Sequence, residues 1–550
     1  MRKLLLLIVF LANISFLLKA QSKNTAENFN YSPKEKIFVH TNNNFLITGE
    51  TLYYKIYCLD TDNNFSNFSK LAYIELLDSE NTSLIKQKIN LKNGTGNSDL
   101  FIKSGLKSGS YKLVAYTRWM TNEKKYFEEN IYIVNPFETK INREKDKKNT
   151  IVLSEEKDAS LILKNNKTYA KREQVIFPLK NKLKKGNYSI SVSRQINSFI
   201  PKKHTSKSFL KTIYITKKDT AFNIPEIRGN IFSGEITPKK EGLKVSAIKI
   251  GVSTNSENPV TKTTITDEDG MFYILLEDLN TNKLNLQILD KERENYIITL
   301  NKEKKLNKEF DDFKELIIDK NTAQIISKKS LFIQIESAYN KVKKDSSFFT
   351  ASKDIFHGKK LIYKLDDYKR FRTIKETIIE ILNNAFYTEK EGQYHVHIRD
   401  NISQPDVTKP TLVVLDGYII YNHNELFDFN PNRINQISII KNKYIFGSEI
   451  YQGIIFIDTF KKDYIPKFNN EFSVLAPQPE KKYFKENYTH NKKDRIPDYR
   501  TQLYWNPNFN FANKNISFFT SDVTGDYEIN IEGFTNNSEP VSLKYNFTVK

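Results

Sequence analysis

Gly109-Ser110-Tyr111-Lys112-Leu113-Val114-Ala115 sets a turn glycine ahead of an alternating strand. The pattern returns at Gly186-Asn187-Tyr188-Ser189-Ile190-Ser191-Val192 and at Gly525-Asp526-Tyr527-Glu528-Ile529-Asn530-Ile531. A supersecondary unit repeated at distant positions points to repeated modules, here three sandwich domains. Around the first copy, residues 34–136 break into short apolar-alternating segments, among them Lys36-Ile37-Phe38-Val39-His40, Leu52 to Leu59 and Ala72 to Leu77. Such segments recur about every ten residues with Asn-Gly and Ser-Gly turns between them, which predicts an antiparallel sandwich.

Working outward, the charged stretch from Lys140 to Lys148 reads as a linker to a second sandwich over 150–222. A further β unit covers 226–302 and contains Thr264-Ile265-Thr266-Asp267-Glu268-Asp269-Gly270-Met271-Phe272, a strand, a tight acidic turn and a returning strand. Asp267-x-Asp269-Gly270 has the beginning of a calcium-loop spacing but lacks the distal Glu and further oxygen ligands, so a plain turn is expected. Ile325, Ile326, Leu331, Phe332, Ile335 and Tyr339 recur at helical spacing and predict a bridging helix over 321–342. Residues 360–465 change character. A helix lies within Asp366 to Asn383, with Ile374, Ile378, Ile379 and Leu382 as its apolar face, and strands follow at Tyr394 to Ile398, Thr411 to Leu415, Ile434 to Ile440 and Gly453 to Asp458. That is a small α+β domain. The tail, 495–550, carries the third motif copy and reads as a C-terminal sandwich. The fold class is therefore mainly β and multidomain, with several immunoglobulin-like sandwiches and one α+β unit.

Composition agrees. The 550 residues hold 30 Tyr and 38 Phe against 18 Gly and 3 Met, a balance that favours strands over helical bundles. Residues 1–20 read as a cleavable signal peptide: Met1, Arg2 and Lys3 are the basic start, Leu4 to Leu18 the apolar stretch, and Ala20 a small residue before the cut. That stretch is about 15 residues, short of the roughly 18 to 20 that span a bilayer. Cleavage would leave Gln21 and no lipid-bearing cysteine. The single cysteine, Cys58, has no partner in the chain and is expected to be a buried small hydrophobe. The formal charge of +20 is spread through every segment, and its basic runs contain acids, so no nucleic-acid function is expected and any membrane contact is indirect.

Three resemblances add to this reading. Leu412-Val413-Val414-Leu415-Asp416-Gly417, Asn430-Pro431-Asn432-Arg433-Ile434-Asn435-Gln436-Ile437-Ser438, Tyr444-Ile445-Phe446-Gly447 and Gly453-Ile454-Ile455-Phe456-Ile457 resemble the plug domain of TonB-dependent outer-membrane receptors. Leu415, Asp416, Gly417, Gly447 and Gly453 carry the motif, with Asp416-Gly417 making a hairpin turn. The residues after 465 are too few for a barrel of about eight strands of ten residues each. Lys36-Ile37-Phe38-Val39-His40-Thr41, Gly49-Glu50-Thr51-Leu52-Tyr53 and Gly109-x-Tyr111-x-Leu113 resemble a macroglobulin-like domain of the α2-macroglobulin family. Tyr57-Cys58-Leu59-Asp60 departs from that family's Cys-Gly-Glu-Gln thioester, so covalent protease trapping is not implied. Thr266-Asp267-Glu268-Asp269-Gly270-Met271-Phe272 resembles a carboxypeptidase-regulatory-like domain. Together they resemble exported Gram-negative envelope proteins that join macroglobulin-like modules to a plug-like domain without a barrel.

The residues show no nucleophile elbow, P-loop, dinucleotide fingerprint or zinc-protease helix. His395-Val396-His397 sets two imidazoles on one strand face with Asp400 nearby, while His40, His204, His357, His423 and His490 have no ligand spacing. Asp366-Asp367 is expected to cap the helix that follows. Trp119 and Trp505, the two tryptophans, are the candidate binding residues, and domain packing is their plainer role. No catalytic residue, cofactor or metal is expected. The expected function is a non-enzymatic envelope binding or scaffold protein, periplasmic or outer-membrane associated or at the cell surface. Its partner would be an outer-membrane protein, a TonB-dependent barrel among the candidates, or another envelope protein. An accessory role in TonB-dependent transport and non-covalent protease binding are the alternatives.

Overall fold

The computed structural model describes residues 34–138, 161–179, 183–195, 203–211, 223–254, 259–303, 320–339, 343–349, 356–399, 408–489, 496–510 and 515–550, with isolated positions between some of these. The expected signal peptide and the charged linker lie outside the described residues.

The first sandwich faces a three-stranded sheet, with Thr51–Leu59 between Lys36–Thr41 and Thr95–Phe101, against a five-stranded one. The second sheet runs in the order Phe45–Ile47, Phe127–Val134, Gly109–Tyr116, Leu71–Leu77, Ser83–Asn90. Phe38, Tyr54, Ile56, Leu76 and Leu113 fill the space between, and Cys58 is buried there. The buried acid Glu35 is satisfied locally. The Glu35 carboxylate accepts hydrogen bonds from Ser66 Oγ, Ser69 N, Ser69 Oγ and Thr117 Oγ1.

The recurring glycine-tyrosine strand has a structural meaning. Tyr111 Oη donates to the Lys107 carbonyl (2.6 Å), Tyr188 Oη to the Lys184 carbonyl (2.7 Å) and Tyr527 Oη to the Val523 carbonyl (2.9 Å). Each phenol reaches back four residues and pins the turn that leads into its own strand, which is a tyrosine corner.

Two of the three corners belong to one domain, which corrects the expected separate sandwiches at 150–222 and 495–550. A single sheet runs Gln502–Phe509, Gly186–Arg194, Gly525–Thr535, Pro540–Val549, Leu161–Tyr169, and Gln174–Pro178 pairs with Asn515–Phe519 beside it. The motif strands are antiparallel neighbours, from Gly186 opposite Thr535 to Arg194 opposite Tyr527. The physical reason is pairing. Gly186–Arg194 is a central strand whose two hydrogen-bonding neighbours both come from the C-terminal segment, so neither segment closes a sheet alone.

The middle sandwich also recruits a distant strand. Asn230–Pro238 lies between Met271–Leu276 and Tyr296–Leu300, and the facing sheet runs Thr261–Ile265, Lys249–Ser253, Lys283–Ile288, Asn470–Ser473. The last of these lies beyond the expected boundary at 302. The acidic turn joins strands of different sheets, so it is a corner and not the expected hairpin. Asp267 Oδ1 accepts from Asp269 N and Met271 N, the bonding of a plain turn.

The helix Lys320–Ala338 packs Ile326 and Ile333 on Phe45, Ile47 and Val134 of the first sandwich. Leu331, expected on its apolar face, is exposed. The α+β domain holds a mixed sheet in the order Lys360–Lys364, Ile434–Ile440, Ile454–Thr459, Leu412–Leu415, Tyr418–Ile419. Its helix is only Ile374–Glu380, started by a capping box of Thr373 and Glu376. Asp366 and Asp367 sit in a separate 3₁₀ turn, so they do not cap it, and Ile379 points to solvent instead of the core.

Candidate functional site

Two of the plug-like residues, Gly417 and Gly447, sit at a joint between domains. Leu415 ends a buried strand, and Asp416 (φ 48°) and Gly417 (φ 86°) turn the chain into Tyr418–Ile419. The buried Asp416 carboxylate is spent locally, accepting from Thr459 N (2.8 Å), Thr459 Oγ1 (2.6 Å) and Tyr464 N (3.2 Å). Thr261 Oγ1 of the middle sandwich donates to the Gly417 carbonyl (2.6 Å). Gly447 turns the hairpin of Tyr444–Phe446 and Glu449–Tyr451, and a Cβ there would stand 2.0 Å from Thr263 Oγ1. Gly453 leads into Ile454–Thr459. Gly417 and Gly447 thus meet the middle sandwich, whereas Leu415, Asp416 and Gly453 serve the α+β domain itself.

His397 and His423 have internal partners. His397 Nε2 lies 2.9 Å from Thr388 Oγ1 and its ring stacks on Phe386, while His423 Nδ1 accepts from Val396 N (2.9 Å). Burial, with His395 and His397 close by, pushes His423 down to about 4. Asp400 and His490 lie outside the described residues, and among the described residues no group of three His, Cys, Asp or Glu is placed to hold a metal. His40 Nδ1 stands 2.7 Å from Ser189 Oγ, the reach of a nucleophile and base. Both side chains are buried beneath Tyr57 and Trp505, which leaves no approach for a substrate.

Trp119 is half-buried with Phe68 edge-on at 5.6 Å. Trp505 is 3% exposed, with the Tyr53 ring at 6.0 Å and His40 at 5.4 Å. It is a wedge between the composite and first sandwiches.

Trp505 also lines a cleft of about 380 Å³. Tyr53 and Phe101 come from the first sandwich, Lys329, Phe332 and Glu336 from the helix, Tyr483 and Phe484 from the returning chain, and Arg194, Tyr499 and Arg500 from the composite sandwich. Lys329 Nζ donates to Glu50 Oε2 (2.7 Å) and the Phe45 carbonyl (3.2 Å). Lys343 Nζ bonds Glu336 Oε2 (2.8 Å) and lies 3.4 Å from Asp498 Oδ1. Arg500 holds Asp498 with a two-pronged grip at 2.7 and 2.6 Å. Burial pushes the Asp498 carboxyl up, but Arg500 and Lys343 outweigh it and hold it at about 2. Nothing in the sequence marked this cleft, because its walls come from segments scattered between residues 42 and 505. Trp505 was its one visible member.

A buried seam joins the two sandwiches nearby. Lys55 donates from Nζ to Asn508 Oδ1 (2.5 Å), and burial pushes it down to about 7. Glu532 accepts from Ser206 N, Ser206 Oγ and Ser542 Oγ, and burial pushes it up to about 7.

No protein-family profile matches the chain, and no curated protein matches it. Among solved structures it is similar to the Escherichia coli alpha-2-macroglobulin activated by porcine elastase, at 8% identity and a TM-score of 0.25 over 94% of this chain and 44% of that one. The Salmonella alpha-2-macroglobulin reacted with methylamine aligns at 8% identity and a TM-score of 0.17, over 95% of this chain and 24% of that one. A tetra-tandem repeat from the extending region of a large adhesion protein aligns at 7% identity and a TM-score of 0.14, over 94% of this chain and all of that one. The chain spans less than half the length of these macroglobulins. At such scores the fold rests on the strand pairing described above.

Proposed function

We propose that the chain is a non-enzymatic binding and scaffold protein of the cell envelope. In this reading, the cleft over Trp505 receives a segment of a partner and the α+β domain docks to an outer-membrane protein. The observation that carries it is the cleft itself, an aromatic concavity whose walls are fixed by two sandwiches, a helix and a returning strand. The signal-like residues 1–20 and the plug-like and macroglobulin-like motifs support a location outside the cytoplasm. On the α+β domain, Ile445 and Ile450 are exposed cross-strand partners at the tip of a hairpin, an apolar surface suited to protein contact.

Crosslinking in intact cells, followed by identification of the captured neighbours, tests the reading. Capture of an envelope or outer-membrane protein supports it. A TonB-dependent barrel would assign the chain to transport, and a protease would assign it to non-covalent protease binding. Recovery from the cytoplasm with residues 1–20 intact would overturn all three.

A further inference from the structure

The cations of the cleft are not equivalent. Lys329, Lys343 and Arg500 each face a carboxylate within the wall, at 2.7, 2.8 and 2.6 Å. Arg194, at the end of its strand, donates its backbone N–H to the Thr501 carbonyl (2.8 Å), and its guanidinium packs against Gly525. Its Nε is buried without a hydrogen-bond partner, and among the described residues no carboxylate lies at ion-pair distance from its guanidinium. The acids lining the cleft are engaged by other groups, Asp345 by the Phe484 backbone N–H (2.7 Å). Glu50 holds Lys329, and Glu336 holds Lys343 while accepting from Tyr499 N (2.6 Å).

A half-buried guanidinium with no acceptor is an incomplete arrangement, since an unpaired group at such a site forgoes the strongest hydrogen bonds it can make. What completes it is a planar anion with two oxygens, and a carboxylate matches the guanidinium fork. The remaining wall is apolar and aromatic, with Phe332 and Tyr499 in tilted contact at 5.3 Å and Phe101 exposed at the rim. We propose that the cleft binds a carboxylate-bearing, aromatic-rich peptide segment, its carboxylate on Arg194 and its apolar side chains against Phe332 and Tyr499. The inference rests on the cleft being a binding site and adds the chemistry of the occupant.

The test is fluorescence anisotropy on the purified full chain with a fluorescein-labelled peptide, Gly-Ser-Gly-Leu-Phe-Phe. One form has a free C-terminal carboxylate, one is its amide, and a third is amidated with Asp replacing the last Phe. The free acid, the Asp form or both should bind about tenfold or more tightly than the plain amide, and which of them does so tells whether the carboxylate is terminal or a side chain. Arg194→Gln should erase that difference, Arg194→Lys should keep part of it, and an unchanged melting temperature shows that the fold is intact. Equal binding of acids and amide, or a difference that survives Arg194→Gln, overturns the assignment. In that case, loss of all binding on Phe332→Ala would show that the cleft reading stands without it. If none of the peptides binds the unaltered chain, both readings fall.

Discussion

At the scale of single residues, the tyrosine corners give the clearest test. Each phenol donates one hydrogen bond to a carbonyl four residues upstream from a largely buried position, so Tyr→Phe keeps the ring and removes only that bond. Tyr111→Phe, Tyr188→Phe and Tyr527→Phe should each cost about 1 kcal/mol in urea unfolding. A loss below about 0.3 kcal/mol for all three would mean that the turns hold without the corner. The motif was legible because ring, glycine and strand are neighbours in sequence. Lys55 was not, since its partner Asn508 lies in another domain. Its pKa is about 7 in the folded chain and ordinarily 10.5, so between these values the unfolded chain binds more protons and stability rises with pH. Below about pH 7 the full penalty of the buried charge applies. Lys55→Met should therefore raise the melting temperature most below pH 7, with the gain fading toward pH 10.5. A gain that does not change with pH would show that the ammonium is not the cause.

At the scale of elements, strands with strong apolar patterns sit close to their expected bounds, Ile434–Ile440 among them. The strands Asn470–Ser473 and Glu480–Lys482 were not anticipated, because they are short, polar and largely exposed, and take their form from the edges they join. The expected helix around Ile379 shortened because its start is set by Thr373 and Glu376 and not by the upstream aspartates. Gly447 is the sharpest element-level constraint, combining φ 63° with an approach that leaves no room for a Cβ beside Thr263. Gly447→Ala should loosen the α+β domain from the middle sandwich and speed tryptic cleavage in the hairpin. Adding Thr263→Ala should restore part of the protection by relieving the clash while the backbone strain remains. No change in cleavage for the single variant would mean that the joint tolerates the displacement.

At the scale of the molecule, the domains are nested. The composite sandwich opens with Leu161–Tyr169 and closes with Pro540–Val549, and the middle sandwich, the helix and the α+β domain are threaded between its halves. A sequence read from one end finds two half-sandwiches and takes them for two domains, because no local signal announces that a central strand's partners lie more than 300 residues away, as Ser191 opposite Trp505 shows. The arrangement has a kinetic consequence. The α+β sheet closes within residues 360–459, whereas the composite sheet and its seam wait on the last segment of the chain, and loop closure makes such long-range pairing slow. In a Trp119→Phe chain, Trp505 is the single tryptophan, and it is packed by Tyr53 and His40 only once the two sandwiches meet. After dilution from urea, its fluorescence should change later than the far-ultraviolet β signal, in a separate slow phase that lengthens when Lys55 is charged at lower pH. A tryptophan signal that develops together with the earliest β structure would show that the sandwich halves find each other first, and that the inserted domains fold into a frame already closed.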